Sequence, residues 1–148
     1  MRLCPAGVAV LAVNVEGERV GLTVNSLVCL SLEPPLIGLA VSRQAAMHEL
    51  LRRAGRFGLS LLAGDQEALA QHFARGVLPL AHWREIGVRA SRAGAPLLEG
   101  ALGWLECRAW AAYDAGDHTL FVGEVLAVEL GHTKPSLVYV RGGYRSLG

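Results

Sequence analysis

Gly21–Val41, GLTVNSLVCLSLEPPLIGLAV, carries one charge, Glu33, yet cannot run as a continuous helix. Pro34-Pro35 removes two successive backbone donors, so the chain must break there in a loop or at a sheet edge. The residues before it read as a buried strand followed by a small polar loop spanning 23–32. Leu36–Val41 after it reads as a second, continuously buried strand. The prolines, Asn25 and the serines also exclude a membrane-spanning helix over Val20–Ser42.

Outward from this segment, strand signals dominate. Gly7–Val15 is rich in Val and Ala and ends at Glu16-Gly17-Glu18, which predicts a turn, with Arg19–Asn25 returning as a strand. Met47, Leu50, Leu51 and Ala54 fall at helical spacing, and Gly55 is placed to end that helix. Phe57–Leu62 predicts a short strand. Asp65 is a candidate cap for a second helix with Glu67 in its first turn and Leu69 and Phe73 one turn apart. Val77–Ser91 and Arg92–Leu98 read as irregular.

From Gly100 the period becomes two. Ala101, Gly103, Leu105, Cys107, Ala109 and Ala111 alternate with Leu102, Trp104, Glu106, Arg108, Trp110 and Ala112, small against mostly large. That pattern predicts a strand in a barrel wall. Ala115-Gly116-Asp117 predicts a turn and His118–Leu130 the return strand. This strand is apolar on both faces, so it is expected to be covered on both, one cover being a second subunit. Leu137–Val140 and Tyr144–Leu147 close the sheet around Gly142-Gly143. The expected fold is mostly β with a few helices: one antiparallel barrel domain over residues 1–148.

Composition narrows the functions. The chain has 148 residues, 52% hydrophobic, with formal net charge +1, and its mean hydropathy is +0.35. A chain this short and this apolar is expected to bury a further face in an oligomer. A net charge of +1 gives no electrostatic case for nucleic acid or an anionic membrane. Cys4, Cys29 and Cys107 form no CxxC and no metal-ligand pattern, so no metal is expected. Cys29 and Cys107 lie in apolar runs, where buried, inert thiols are the expectation. The N-terminal MRLCPAGVAVLAVNVEG does not read as a signal peptide, which leaves a cytoplasmic protein as the expectation.

Several short polar sets could carry chemistry. Thr23, Val24, Asn25 and Ser26, with Ser31 and Leu32 further along, offer hydroxyls and backbone amides on an apolar floor, which suits a planar ligand with polar edges. The same hydroxyls could instead bond locally at a strand end. Ser42-Arg43-Gln44 precedes the 45–54 helix, a natural phosphate position, or simply a capped helix beside a solvated arginine. Gly116-Asp117-His118 is either a ligand-facing histidine beside a turn aspartate or a plain hairpin corner. No GxGxxG follows a strand, so there is no separate dinucleotide-binding domain.

GLTVNSLVCLSLEPPLIGLAV together with GDHTLFVGEV at 116–125 resembles the flavin reductase-like family, the small reductases that supply reduced flavin to partner monooxygenases. The resemblance runs from about Ala6 to Tyr144. It implies an FMN-binding split barrel, a homodimer, and NADH- or NADPH-dependent reduction of FMN or FAD. It further implies that His118 positions the incoming dinucleotide near the flavin ring, with Asp117 holding either the imidazole or the turn. Thr23–Ser26, Ser31, Leu32, Ser42, Arg43 and Gln44 are then flavin contacts. Phe73 and Arg75, in QHFAR, fall in a segment close to the cofactor, with Phe73 read as a core residue there rather than a ring-stacking one. Tyr144, in RGGY, packs beside the flavin or across the dimer, or is a plain aromatic of the closing strand. Members with more Ser or Thr after the arginine differ from this chain, which has Ala45-Ala46, so Arg43 and backbone amides must supply most of the phosphate contacts. Rival readings are a flavoprotein electron carrier without free-flavin turnover, an oxidase of the pyridoxamine-phosphate type, and a binding module that has lost its ligand.

Overall fold

The computed structural model describes residues 1–74, 83–92 and 94–148. Seven antiparallel strands form the main sheet, in the order β3-β2-β6-β9-β10-β5-β4. They are β2 (Ala9–Val15), β3 (Glu18–Val24), β4 (Val28–Leu32), β5 (Pro35–Ser42), β6 (Arg56–Leu61), β9 (Gly103–Ala115) and β10 (His118–Leu130). The two end strands, β3 and β4, are consecutive in the chain but not paired with one another, so the barrel is split between them. A second sheet of β1 (Ala6–Gly7), β11 (Ser136–Val140) and β12 (Gly143–Leu147) adjoins it, and β7 (Val88–Arg89) pairs with β8 (Leu97–Leu98). The mostly β architecture read from the sequence is therefore observed, as an open split barrel.

The barrel interior is built by alternate residues of β2, β5, β6 and β9: Leu11, Val13, Leu39, Val41, Phe57, Leu59 and Cys107 form one buried cluster. Helix α1 (Ala46–Ala54) covers one end, with Met47 and Leu51 buried in the same cluster. Helix α2 (Glu67–Phe73) packs beneath β2 and β3, where Ala70 and Phe73 join Val8, Val10, Leu62 and Leu98.

The small-against-large alternation of β9 has a structural meaning. Leu105 and Cys107 face the barrel core, while Trp104 and Glu106 are buried on the other side. There Arg89 of β7 lies over the Trp104 ring, 3.8 Å from its centroid. The outer halves of β9 and β10 are less well covered: Trp110, Leu126, Val128 and Leu130 are exposed within the single chain. Covering of both β10 faces is thus met only in part by this chain.

Three local readings are corrected, and one is made more definite. Residues 23–32 are not one loop, since only Asn25–Leu27 is irregular and Val28–Leu32 is the edge strand β4. The break expected at Pro34-Pro35 is a hairpin turn at Glu33-Pro34, with Leu32 paired to Pro35 at the start of β5. Asp65 does not cap α2. Its carboxylate accepts a hydrogen bond from Lys134 at 3.1 Å, and Gln66 occupies the cap position without a side-chain cap bond. Cys29 is exposed on β4, whereas Cys107 is buried as expected.

Candidate functional site

Antiparallel register decides which predicted residues meet. Val28 stands opposite Gly38, Ser31 opposite Leu36, and Ser42 opposite His118. Residues opposite one another share a sheet face, and every second residue returns to it. Ser42, Ala40, Gly38 and Leu36 of β5 therefore line the outer face of the barrel with His118 and Leu120 of β10. This strip is the apolar floor. A Cβ on Gly38 would lie 2.9 Å from Leu30 and 3.3 Å from both Leu120 and Val28, so the glycine lets these three apolar side chains close over the strand, where any larger residue would collide with them. The predicted residues are strung out along the strip. Ser31 lies six residues of register from Ser42, about 20 Å at the rise of an extended strand. Leu32, 95% exposed, sits at the far tip of the hairpin.

The polar segment between β3 and β4 is positioned by its own hydroxyls. Ser26 Oγ donates to Ala40 O at 3.1 Å and accepts from Ala40 N–H at 3.0 Å, continuing the β4 ladder with a side chain in place of backbone. Thr23 Oγ1 donates to Ala70 O at 2.6 Å and ties β3 to α2. A hydroxyl has one proton, so neither Thr23 nor Ser26 has a donor left for a ligand carbonyl. The local-bonding alternative therefore accounts for both donors. Donors remain elsewhere in the same loop. The amides of Asn25, Ser26 and Leu27 reach no backbone carbonyl of a described residue, and the exposed Asn25 carboxamide bonds to no described residue. Val24 is buried at 6% exposure, so its main chain is the part of it within a ligand's reach.

At the other end of the strip, β9 and β10 are joined by the two-residue loop Gly116-Asp117. Gly116 has φ +67°, the conformation required at the first loop position of a type II′ hairpin turn and accessible to glycine without strain. The turn presents Asp117 beside His118, whose Nδ1 donates to the Asp117 carboxylate at 2.7 Å. The carboxylate can only accept, so the proton is fixed on Nδ1 and Nε2 is left to face the strip or solvent. That hydrogen bond, and secondarily the charge of His118, holds the Asp117 carboxyl below its ordinary value of 3.8.

Behind this corner, Arg43 N–H donates to Asp117 O at 3.0 Å, and Ser42 Oγ accepts from Gln44 N–H at 3.3 Å. The start of α1 has Ala45 at its cap position and no side-chain cap bond. His48 of the first turn is hydrogen-bonded through Nε2 to buried Thr119 Oγ1 at 2.7 Å, which fixes the helix start to β10. The Arg43 guanidinium is paired with Asp114 at 2.6 Å.

A second recess, of about 250 Å³, lies beside the split and is lined by Val8, Thr23, Val24, Asn25, Ala74, Tyr139 and Tyr144. The Tyr139 and Tyr144 rings meet edge to face with centroids 5.1 Å apart. Desolvation and the neighbouring Tyr139 raise the Tyr144 phenol above its ordinary value, so it is a neutral donor here. Asn25 faces this recess while its neighbour Ser26 is bonded to the floor strand, so the loop joins the two surfaces.

The two candidates of the QHFAR segment end differently. Phe73 is fully buried and stacks at a tilt on Trp83, 4.8 Å between centroids, so it is a core residue that supports β3. Arg75 lies outside the described residues. Sequence reasoning missed Tyr139, Asp114 and His48. Among the described residues no group of three or more His, Cys, Asp or Glu side chains could hold a metal ion.

Comparison with known proteins adds an independent line. The profile of the flavin reductase like domain matches residues 1–148. The reductase component of 4-hydroxyphenylacetate 3-monooxygenase from Thermus thermophilus is 43% identical over 142 residues, spanning 96% of this chain and 89% of that protein. An NADH-dependent FAD reductase from Streptomyces globisporus is 35% identical, covering 95% of this chain and 79% of that one. Among solved structures, the flavin reductase component of a bacterial two-component tryptophan halogenase superposes with a TM-score of 0.92 at 42% identity, over 99% of this chain and 92% of that chain. An NADH:FAD oxidoreductase from Streptomyces globisporus, in complex with NAD and FAD fragments, superposes with a TM-score of 0.92 at 33% identity, over 99% and 87%.

Proposed function

This chain belongs to the flavin reductase-like family, and from that premise we propose that the strip between Ser26 and His118 is where its flavin and nicotinamide meet. The chain is an NAD(P)H-dependent flavin reductase whose reduced FMN or FAD serves a partner monooxygenase. The single observation that carries the site is the shared face of Ser42 and His118 over the Gly38–Ala40 floor. The residues fit the group. An apolar floor accepts an aromatic ring system, the amides of the 25–27 loop, which reach no backbone carbonyl of a described residue, are donors for ring carbonyls, and the α1 start with Arg43 and Gln44 offers amides and a cation to a phosphate.

Bound flavin supplies the hydride acceptor and the reduced nicotinamide the hydride. What the chain supplies is orientation and exclusion of water. Asp117 fixes the His118 tautomer, and Nε2 is then available to hold the dinucleotide against the floor. Hydride leaves carbon without a proton, so His118 acts by positioning. Asn25, Tyr139 and Tyr144 border the recess into which a further part of either ligand extends.

The same reading includes a homodimer, a single domain and a cytoplasmic location. The support for a dimer is the set of exposed apolar residues on β4 and β10: Leu32 at 95%, Val128 at 62% and Leu130 at 84%. Among the described residues no helix is long and apolar enough to cross a membrane.

The test is NADH and NADPH oxidation titrated with FMN and then FAD, for wild type and His118→Ala. The expected outcome is turnover that saturates with flavin, and a KM for the nicotinamide raised about tenfold in the variant, the loss of one orienting hydrogen bond. Flavin affinity should change little. Unchanged kinetics in the variant would remove His118 from the site.

A further inference from the structure

Arg43 is the cation that stands at the start of α1, and Ala45 and Ala46 beside it bring no hydroxyl to share an anion. Yet its guanidinium is already taken: Nη2 lies 2.6 Å from Asp114 Oδ1, with the two side chains 45% and 82% exposed. Asp114 stands opposite Thr119 on the β9–β10 hairpin, and Thr119 is hydrogen-bonded to His48 of α1. Asp114 therefore belongs to the sheet face that α1 covers. Ser42 and His118, opposite one another, belong to the reverse face, the one with the apolar floor. The arginine that a flavin phosphate needs is thus held back by a carboxylate on the far side of the sheet.

We infer that Asp114 is a built-in competitor for Arg43, which weakens capture of the flavin phosphate and so keeps flavin an exchangeable substrate. The inference rests on the flavin reductase reading and deepens it by naming what sets residence time at that site. The physical argument is one of exchange. A phosphate arriving at the α1 start gains the guanidinium only by displacing Asp114, so the ion pair already made is subtracted from the gain. When the flavin departs, Asp114 takes the arginine back. Both charges are solvated, so the size of the effect is that of a surface pair, a few-fold in affinity, and it is screened by salt. This suits a reductase whose product must leave.

The experiment measures equilibrium affinity for FMN and for riboflavin, which lacks the phosphate, by quenching of flavin fluorescence. Wild type, Asp114→Asn, Arg43→Gln and the double variant are compared at low and high salt. The expected result is FMN binding tightened by about two- to five-fold in Asp114→Asn, the range of an exposed ion pair, with riboflavin unchanged and the FMN gain shrinking at high salt. In the Arg43→Gln background the Asp114 substitution should have no effect, because nothing remains to compete for. FMN affinity unchanged or weakened in Asp114→Asn, or riboflavin shifted as much as FMN, overturns the inference while leaving the reductase intact. Wild type that binds neither flavin overturns the reading on which the inference rests. Asp114 is on an exposed hairpin end, so the variant is expected to fold, and an unchanged thermal transition checks that.

Discussion

Strands β2 and β4 are both short apolar runs, AVLAVNV and VCLSL, and the molecule treats them oppositely. In β2 the first five residues are buried, Val10 and Leu11 completely. In β4 four of five residues are exposed in the single chain. The cause is position in the sheet. β2 lies between β3 and β6 with helices over it, whereas β4 is an end strand with a free edge. Apolar composition therefore marks two different jobs. In β2 it is core. In β4 it is a surface left for something outside the chain, a ring system on the floor or a second subunit.

Substitutions should separate the two jobs sharply. Phe57→Ala, in β6 beside β2, removes a ring that is 1% exposed and should cost about 3–5 kcal/mol in a denaturant titration, enough to unfold much of the population. Leu32→Asp, at the tip of β4, should cost no more than about 0.5 kcal/mol of chain stability. Its effect should appear in light scattering as loss of the dimer. If Leu32→Asp unfolds the chain instead, β4 is core after all and the contrast fails.

The legible parts of the fold were those fixed within a few residues. Pro34-Pro35 located a break, the alternation over 101–112 located β9, Gly55 ended α1, and Gly116 marked the hairpin that carries His118. What could not be read depends on partners distant in sequence. Asp65 looks like a cap until Lys134, 69 residues on, takes its carboxylate. Ser26 looks like a ligand donor until Ala40 is seen across the ladder. Arg43 looks like a free phosphate cation until Asp114 is folded beside it. The family motif points to a region, but which groups in it are already spent is a property of the tertiary structure. Hydroxyls and guanidinium groups have few valences, and a one-dimensional reading cannot show that they are filled.

The smallest perturbation, a single thiol label, probes the same contrast without changing the sequence. Cys29 of β4 is exposed and Cys107 of β9 is buried, although each sits in an apolar run. Burial, with a smaller contribution from the charge of Glu106, pushes the Cys107 thiol up to about 12. At pH 8 roughly one Cys107 in ten thousand carries the reactive thiolate, against a substantial fraction for an ordinary thiol. A thiol reagent at pH 8 should therefore label Cys4 and Cys29 rapidly in dilute protein, and Cys107 only after denaturant is added. Concentration then sharpens the result. If β4 is a subunit contact, Cys29 should slow as the protein is concentrated into the dimer while Cys4 keeps its rate. If flavin lies on the floor, saturating FMN should leave the Cys29 rate unchanged, because Cys29 stands opposite Ile37 on the other face of the sheet. A Cys29 that reacts at one rate however concentrated the protein would leave its face of β4 bare, and the dimer surface would have to be sought on other strands.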